Sequence, residues 1–162
     1  MIWRCPYCIG SLHDEYASLR CGACCRTFPV FDGIPDLGTA HPSWIDLTAE
    51  HSYARKLLAE QMEASPEEWV RRVFADQSPD ESTRIALRTR QVMAGPQRLR
   101  GQLAGWLRSC VAGNGLFLDA GCGAGVLLAG AALEGRRGIG IDVSLVWLLV
   151  AARLVRAVVI RC

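Results

Sequence analysis

Residues Leu116–Gly125 read LFLDAGCGAG, and this stretch decides the fold. A short apolar run ends in an acid, three glycines follow at alternate positions, and the helix-compatible residues Val126–Leu133 come next. Strand, glycine turn and helix in this order predict the opening of a parallel α/β sheet. Glycines permit a tight turn and close backbone approach, so a ligand can lie against the turn and the amides at the helix N-terminus.

An acidic residue closes the second predicted strand. Gly138–Ile141 is apolar and ends at Asp142, 17 positions after Gly125, where a carboxylate can accept both hydroxyls of a ribose. A dinucleotide-dependent oxidoreductase shares this half-fold, but its glycines typically follow a GxGxxG spacing that cradles a pyrophosphate. Here the spacing is GxGxG, and Asp119 stands just upstream. A carboxylate there suits a cationic amino-acid ligand, which disfavours the dinucleotide alternative.

The two stretches 118–125 and 140–144 together resemble the first and second motifs of class I S-adenosylmethionine-dependent methyltransferases. The resemblance implies a cofactor-binding set made of Asp119, Ala120, Gly121, Cys122, Gly123, Gly125, Asp142 and Val143. Asp119 would lie near the methionine moiety, Asp142 would hold the ribose and Val143 would flank the adenine. Cys122 is a common loop residue in this family and not a nucleophile. No residue is assigned a catalytic role.

Two cysteine pairs near the N-terminus predict a metal site. Cys5 and Cys8 form one pair, Cys21 and Cys24 form the other, and 12 residues separate the pairs. Two such turns can complete the tetrahedral thiolate shell that Zn²⁺ favours. Cys25 follows Cys24 directly and is interpreted as a non-ligand, with His13 a still weaker candidate than Cys25. A redox dithiol is the alternative, but one metal explains two pairs more economically than two redox centres.

The residues after the second pair predict a hairpin: strand Thr27–Phe31, a turn at Asp32 and Gly33, and a second strand start at Ile34. The run from Cys21 to Leu37 resembles the small zinc ribbons fused to, or partnered with, class I methyltransferases. It departs from them at Cys25, where that family usually has glycine. A fold-stabilising appendage and a surface that binds RNA or a partner protein both remain open as roles for the ribbon.

The middle of the chain is predicted to be helical. Ser65 and Ser78 are each followed by proline and two acidic residues, a pattern that predicts two helix N-caps. The amphipathic pattern continues and is broken at Gly95-Pro96. The aromatic residues of this zone are expected to pack against the sheet. The predicted fold class is thus α/β, with a zinc ribbon at 1–38, a helical connector or lid at 39–110, and the first part of a Rossmann-like class I methyltransferase sheet at 111–162.

A third apolar strand, Ala157–Ile160, comes just before the last residue, Cys162. Because class I methyltransferase domains have seven strands, the resemblance implies that the chain is truncated after the third strand. Such a half-domain is expected to expose a sheet edge and the apolar faces of Val143–Val150.

The composition and charge of the chain indicate which locations and partners to expect. Hydrophobic residues make up 51% and charged residues 21% of the chain, which is typical of a globular protein. The uncharged run Val143–Ala152 is too short to span a bilayer, and the N-terminus lacks the apolar region of a secretory signal, so we expect no membrane contact and a cytoplasmic location. The net charge is +2, and the arginine-rich second half does not by itself indicate nucleic acid.

The resemblance implies an S-adenosylmethionine-dependent methyltransferase, and the four cysteines predict that it also holds Zn²⁺. Its methyl acceptor is either a small molecule or an RNA base, and the sequence is compatible with both. The alternative is a non-catalytic zinc-ribbon adaptor or truncated fragment that binds a partner. Nothing in the sequence indicates the oligomeric state.

Overall fold

The computed structural model describes residues 3–39, 43–61, 63–110, 115–155 and 158–161. The fold is mixed α/β, with an N-terminal antiparallel sheet, three helices, and a parallel sheet whose strands alternate with two further helices. In chain order the elements are β1 (Leu12–Glu15), β2 (Ser18–Cys21), β3 (Thr27–Phe31), β4 (Ile34–Pro35), α1 (Leu47–Gln61), α2 (Pro66–Gln77), α3 (Ser82–Cys110), β5 (Leu116–Ala120), α4 (Val126–Leu133), β6 (Arg137–Asp142), α5 (Leu145–Leu154) and β7 (Val158–Arg161).

The N-terminal sheet has the order β1-β2-β3-β4, and each neighbouring pair is antiparallel. The predicted hairpin is confirmed: Phe31 pairs with Ile34 across a turn formed by Asp32 and Gly33. Both turn residues have positive φ, 48° and 80°, as a two-residue type I′ turn requires. The Asp-Gly dipeptide therefore fixes the register of this hairpin.

The second sheet is parallel, in the order β5-β6-β7. Asp119 of β5 lies opposite Gly140 of β6, so the glycine loop after β5 and the residues after β6 meet at the same edge. Strand β7 follows the predicted third strand to within a residue, although Ala157 itself lies outside the described residues. This sheet gathers the predicted cofactor-binding residues.

Helix α5 is the centre of the main core. Its residues Leu145, Leu148, Leu149 and Val150 are all at most 1% exposed, because α1 and α2 pack on α5 while the parallel sheet contacts it as well. The expectation that Val143–Val150 would present apolar faces to solvent is therefore wrong for the helix; Val143, just before it, is exposed. Within the described part of the chain, no helix combines the length and apolar character needed to cross a membrane.

The tip of the β3–β4 hairpin belongs to this same core. Phe31 and Ile34 are buried among residues of α1, α2 and α5. Around them, Asp32 pairs with Arg153 of α5 at 2.8 Å. The N-terminal part of the chain also has a small core of its own, made of Cys5, Leu12, Leu19, Cys21 and Phe28. The hairpin thus joins the cysteine-rich part of the chain to the parallel sheet.

One of the two predicted N-caps is confirmed and the other is wrong. Ser65 caps α2 through a capping box in which its side chain accepts from Glu68 N and Glu68 accepts from Ser65 N. Ser78 instead closes α2, because its N–H donates to Phe74 O, and α3 begins four residues later at Ser82. The two serines differ in what precedes them: α1 ends at Gln61, four residues before Ser65, whereas α2 continues to Gln77, directly before Ser78.

The predicted break at Gly95-Pro96 is also wrong, since α3 continues through both residues. Gly95 lies against Val126 of α4 so closely that a Cβ at this position would overlap the valine side chain. Pro96 is buried as well. Packing of α3 on α4 therefore outweighs the single helical hydrogen bond that proline removes.

Ser65→Ala and Ser78→Ala test the difference between the two serines. Loss of the capping box is expected to lower the free energy of unfolding by about 1 kcal/mol. The Ser78 substitution should change it by less than about 0.5 kcal/mol, because its side chain caps no helix. Denaturant titration followed by circular dichroism measures both, and equal losses would contradict the assignment.

Candidate functional site

The first candidate site is a cluster of four cysteines: Cys5, Cys8, Cys21 and Cys24. Their sulfur atoms all lie within 4.8 Å of one another, with Cys5 3.7 Å from Cys24 and Cys8 3.4 Å from Cys21. Thiolates bound to a tetrahedral zinc at about 2.3 Å lie roughly 3.8 Å apart. The spacing of the four sulfur atoms thus suits a metal ion.

The two cysteine turns have the same backbone geometry. In the first, Ile9 N donates to Cys5 O and Cys5 N donates to Gly10 O. In the second, Cys25 N donates to Cys21 O and Cys21 N donates to Arg26 O. Ile9 and Cys25 accordingly share a left-handed backbone, with φ of 61° and 60°.

Cys25 therefore occupies a backbone conformation that glycine adopts without steric cost. Among the described residues, the metal-ligand cluster contains neither Cys25, which is exposed, nor His13. Both placements agree with the sequence-based interpretation of these two residues as non-ligands.

Backbone amides favour the thiolate form of the second pair. Ala23 N and Cys24 N each lie 3.4 Å from Cys21 Sγ, and the Cys24 amide is the main cause that lowers the pKa of Cys21. The Arg26 amide lowers the pKa of Cys24 to about 6. For Cys8 a hydrogen bond from Gly10 lowers the pKa, but Cys21 and burial raise it to about 12. Four sulfur atoms this close resist a full set of negative charges unless a cation balances them.

The second candidate site lies at the ends of β5 and β6. Gly121, Gly123 and Gly125 all have positive φ, between 49° and 77°, so each needs glycine for its conformation. Gly121 and Gly123 have open space where a Cβ would point, whereas a Cβ on Gly125 would press against Ala151. The first two glycines leave room for a ligand, and the third brings α4 close to α5.

Asp142 organises the loop from the end of β6. Its Oδ2 accepts from Gly123 N and its Oδ1 accepts from Ser144 N, both at 2.8 Å. A carboxylate offers about four lone pairs, so both oxygens retain capacity for a ligand. Ser144 then caps α5, its Oγ accepting from Trp147 N. Val143 is exposed between these two residues.

Asp119 differs from Asp142 in its surroundings. Its buried Oδ2 has no hydrogen-bond partner among the described residues. Burial, followed by the charge of Asp142, raises the pKa of Asp119. A carboxylate in this state is stabilised by any cation that reaches it.

The other two predicted loop residues lie beside these carboxylates. Ala120 is exposed and Cys122 is buried. Burial, together with Asp142 and Asp119, raises the pKa of Cys122 to about 12. A thiol of this kind is a poor nucleophile, in agreement with the role expected for Cys122.

Sequence reasoning missed Glu50, on helix α1. Ser144 Oγ donates to Glu50 Oε1 at 2.9 Å, across 94 positions of the chain. The next residue, His51, lies 2.7 Å from the buried carboxylate of Asp36. No periodicity or spacing identifies such contacts, because Glu50 and His51 stand in an ordinary polar stretch of a helix.

No family model matches this chain, and neither does any curated protein sequence.

Metal removal is expected to unfold one part of the ribbon and spare another. Without the ion, amides of strands β1 and β2 should lose protection from hydrogen exchange, because their own core is small. Phe31 and Ile34 should stay protected, since they are buried in the main core. Exchange measured by mass spectrometry before and after treatment with a chelator checks both expectations.

Variants provide the matched comparison for this experiment. Cys21→Ser should reduce the zinc content from about one ion per chain to a small fraction of that, and Cys25→Ser should leave it unchanged. Elemental analysis after dialysis measures the content. Equal loss in both variants would contradict the assignment of the four ligands.

Proposed function

We propose that the glycine-loop site binds S-adenosylmethionine and that the chain is a methyltransferase or part of one. The observation that carries this proposal is the state of Asp119, a buried carboxylate with an unsatisfied oxygen beside a loop of three left-handed glycines. S-adenosylmethionine supplies a sulfonium and an ammonium group on one side of its ribose. Asp119 would face these cations, and Asp142 would accept from the ribose hydroxyls.

Charge favours this ligand over a dinucleotide. A pyrophosphate placed at the start of α4 would lie close to Asp119, and like charges at such distances repel each other. In dinucleotide sites the helix N-terminus is instead kept free for the phosphates. Asp119 therefore supports a cationic ligand, whereas Asp142 would suit the ribose of either ligand.

The order of the parallel strands also supports the proposal. Strands β5, β6 and β7 lie side by side in chain order, as do the first three strands of doubly wound nucleotide-binding sheets. In such sheets ligands bind at the carboxyl ends of the strands, which is where the glycine loop and Asp142 meet.

For the cysteine cluster we propose Zn²⁺. An all-thiolate tetrahedral set is a structural zinc site, with no open position for a substrate. The ion would hold β1 and β2 together beside the β3–β4 hairpin, whose tip is buried in the core around α5.

Methyl transfer is an in-line displacement in which the acceptor attacks the sulfonium methyl, so the protein acts mainly by positioning the two reactants. The acceptor would be a small molecule or an RNA base. A cytoplasmic location fits this chemistry.

A non-catalytic adaptor is the second candidate function. One observation favours it: Leu116 and Leu118 lie on the same face of β5 and are 53% and 62% exposed. A partner protein could cover this face. Methyl transfer at an ordinary rate by the protein would exclude a purely adaptor role.

Three ligands separate the roles of the two carboxylates. Isothermal titration with S-adenosylmethionine should give binding that Asp119→Asn and Asp142→Ala each weaken at least about tenfold, as expected for charge-assisted hydrogen bonds. 5′-Methylthioadenosine has the ribose but not the charged amino acid, so Asp142→Ala should weaken its binding whereas Asp119→Asn should not. NAD⁺ should not bind. Preferential binding of NAD⁺ would contradict the proposal, and Asp80→Asn, at an exposed position, is the control.

The raised pKa of Asp119 gives the sign of the pH dependence. A protonated Asp119 offers no charge to a cation, so affinity for S-adenosylmethionine should be full above this pKa and fall as the pH decreases through it. Titrations between about pH 4.5 and 7.5 cover the range above the ordinary value near 3.9. The Asp119→Asn variant should show a flatter profile, and an unchanged profile would remove Asp119 from the cation site.

A further inference from the structure

Among the described residues, Glu50 connects helix α1 to the residues that follow β6 at the glycine-loop site. Glu50 Oε1 accepts a hydrogen bond from Ser144 Oγ at 2.9 Å. The helix that bears Glu50 is fixed in place, because Ala54 and Leu57 are at most 1% exposed and His51 lies 2.7 Å from the carboxylate of Asp36. The carboxylate of Glu50 is therefore presented to Ser144 from a rigid support.

The side chain of Ser144 makes two hydrogen bonds, and Glu50 determines which of them the hydroxyl donates. A serine hydroxyl has one proton, which Ser144 donates to Glu50. Its oxygen is then left as an acceptor for Trp147 N, in the cap of α5. The backbone N–H of the same residue donates to Asp142 Oδ1. The contact with Glu50 thus fixes the residue that holds one oxygen of Asp142.

Glu50 and Asp142 both accept hydrogen bonds from Ser144, so the Glu50 carboxylate needs compensation for the repulsion between like charges. The compensation lies in the hydroxyl of Ser144 and in the N-terminus of α5, where the helix dipole favours negative charge. Glu50 is thereby drawn to the start of α5 rather than to solvent. This placement couples the position of α1 to the site around Asp142.

We propose that Glu50 is a positioning residue for Asp142, acting through Ser144. For ligand affinity the proposal rests on the proposed function, because Asp142 is the group that would hold the ribose. The structural half of the proposal, which concerns only the orientation of Ser144 and Asp142, does not require any ligand. Glu50 sets the orientation of Ser144, Ser144 N–H and Gly123 N–H fix the two oxygens of Asp142, and the carboxylate meets the ribose already oriented.

The first test uses the zinc-loaded chain without ligand. Amide exchange of Ser144 and Gly123, followed by NMR, should accelerate at least about threefold in Glu50→Ala. Glu50→Gln should restore the slow exchange, because its amide oxygen can still accept from Ser144 Oγ. Glu60→Ala, on the same helix, is the control and should leave both amides unchanged. Unchanged exchange in Glu50→Ala would overturn the structural half of the proposal.

The second test is a double-mutant cycle on affinity for S-adenosylmethionine. Glu50→Ala and Ser144→Ala should each weaken binding about tenfold, and the double variant should be no weaker than Ser144→Ala alone, because both changes break one chain of contacts. Additive losses would overturn action through Ser144. If the amides respond as expected but the wild type does not bind, the proposed function fails and the positioning role stands. If the wild type binds S-adenosylmethionine and Glu50→Ala leaves the affinity unchanged, the proposed function stands and the positioning role fails.

Discussion

The burial of helix α5 is the constraint on which the rest of the structure depends. Apart from Arg153 in its last turn, the helix consists of apolar residues, and a helix of this kind is stable only when most of its surface is covered. The parallel sheet covers one side, and α1, α2 and the tip of the β3–β4 hairpin cover the others. Without these elements Leu145, Leu148 and Leu149 would lie in water, at a cost of about 2 kcal/mol each.

This arrangement gives the cysteine-rich ribbon a structural role beyond its own fold. Phe31 and Ile34 pack in the core around α5, while Asp32 pairs with Arg153 and Asp36 with His51. The Arg153 guanidinium also lies 4.8 Å from the ring of Trp69 on α2. A metal held by the four cysteines would thus stabilise the strands that lead into the hairpin. Ribbon, helices and parallel sheet meet around one helix.

The same helix carries the candidate ligand site at its N-terminus. Asp142 and Ser144 directly precede α5, and Gly125 packs against Ala151 one turn before its end. The site is rich in negative charge: Asp119 and Asp142 lie beside the glycine loop that leads into α4, and Glu50 accepts from Ser144 at the N-terminus of α5. The helix dipoles of α4 and α5 offset part of this repulsion. The remainder favours a cationic ligand, on which the proposed binding of S-adenosylmethionine depends.

The sequence by itself predicted the features that depend on local chemistry: the Asp-Gly hairpin, the capping box at Ser65, the cysteine cluster, and the strand–glycine–helix order around Asp119. Each follows from a few neighbouring residues. Only the tertiary structure decided that Ser78 closes a helix, that α3 continues through Pro96, that Val143–Val150 is mostly covered, and that Glu50 reaches Ser144. These features depend on contacts between segments that are distant in sequence. Such contacts form when the chain packs, and a local sequence pattern does not predict them.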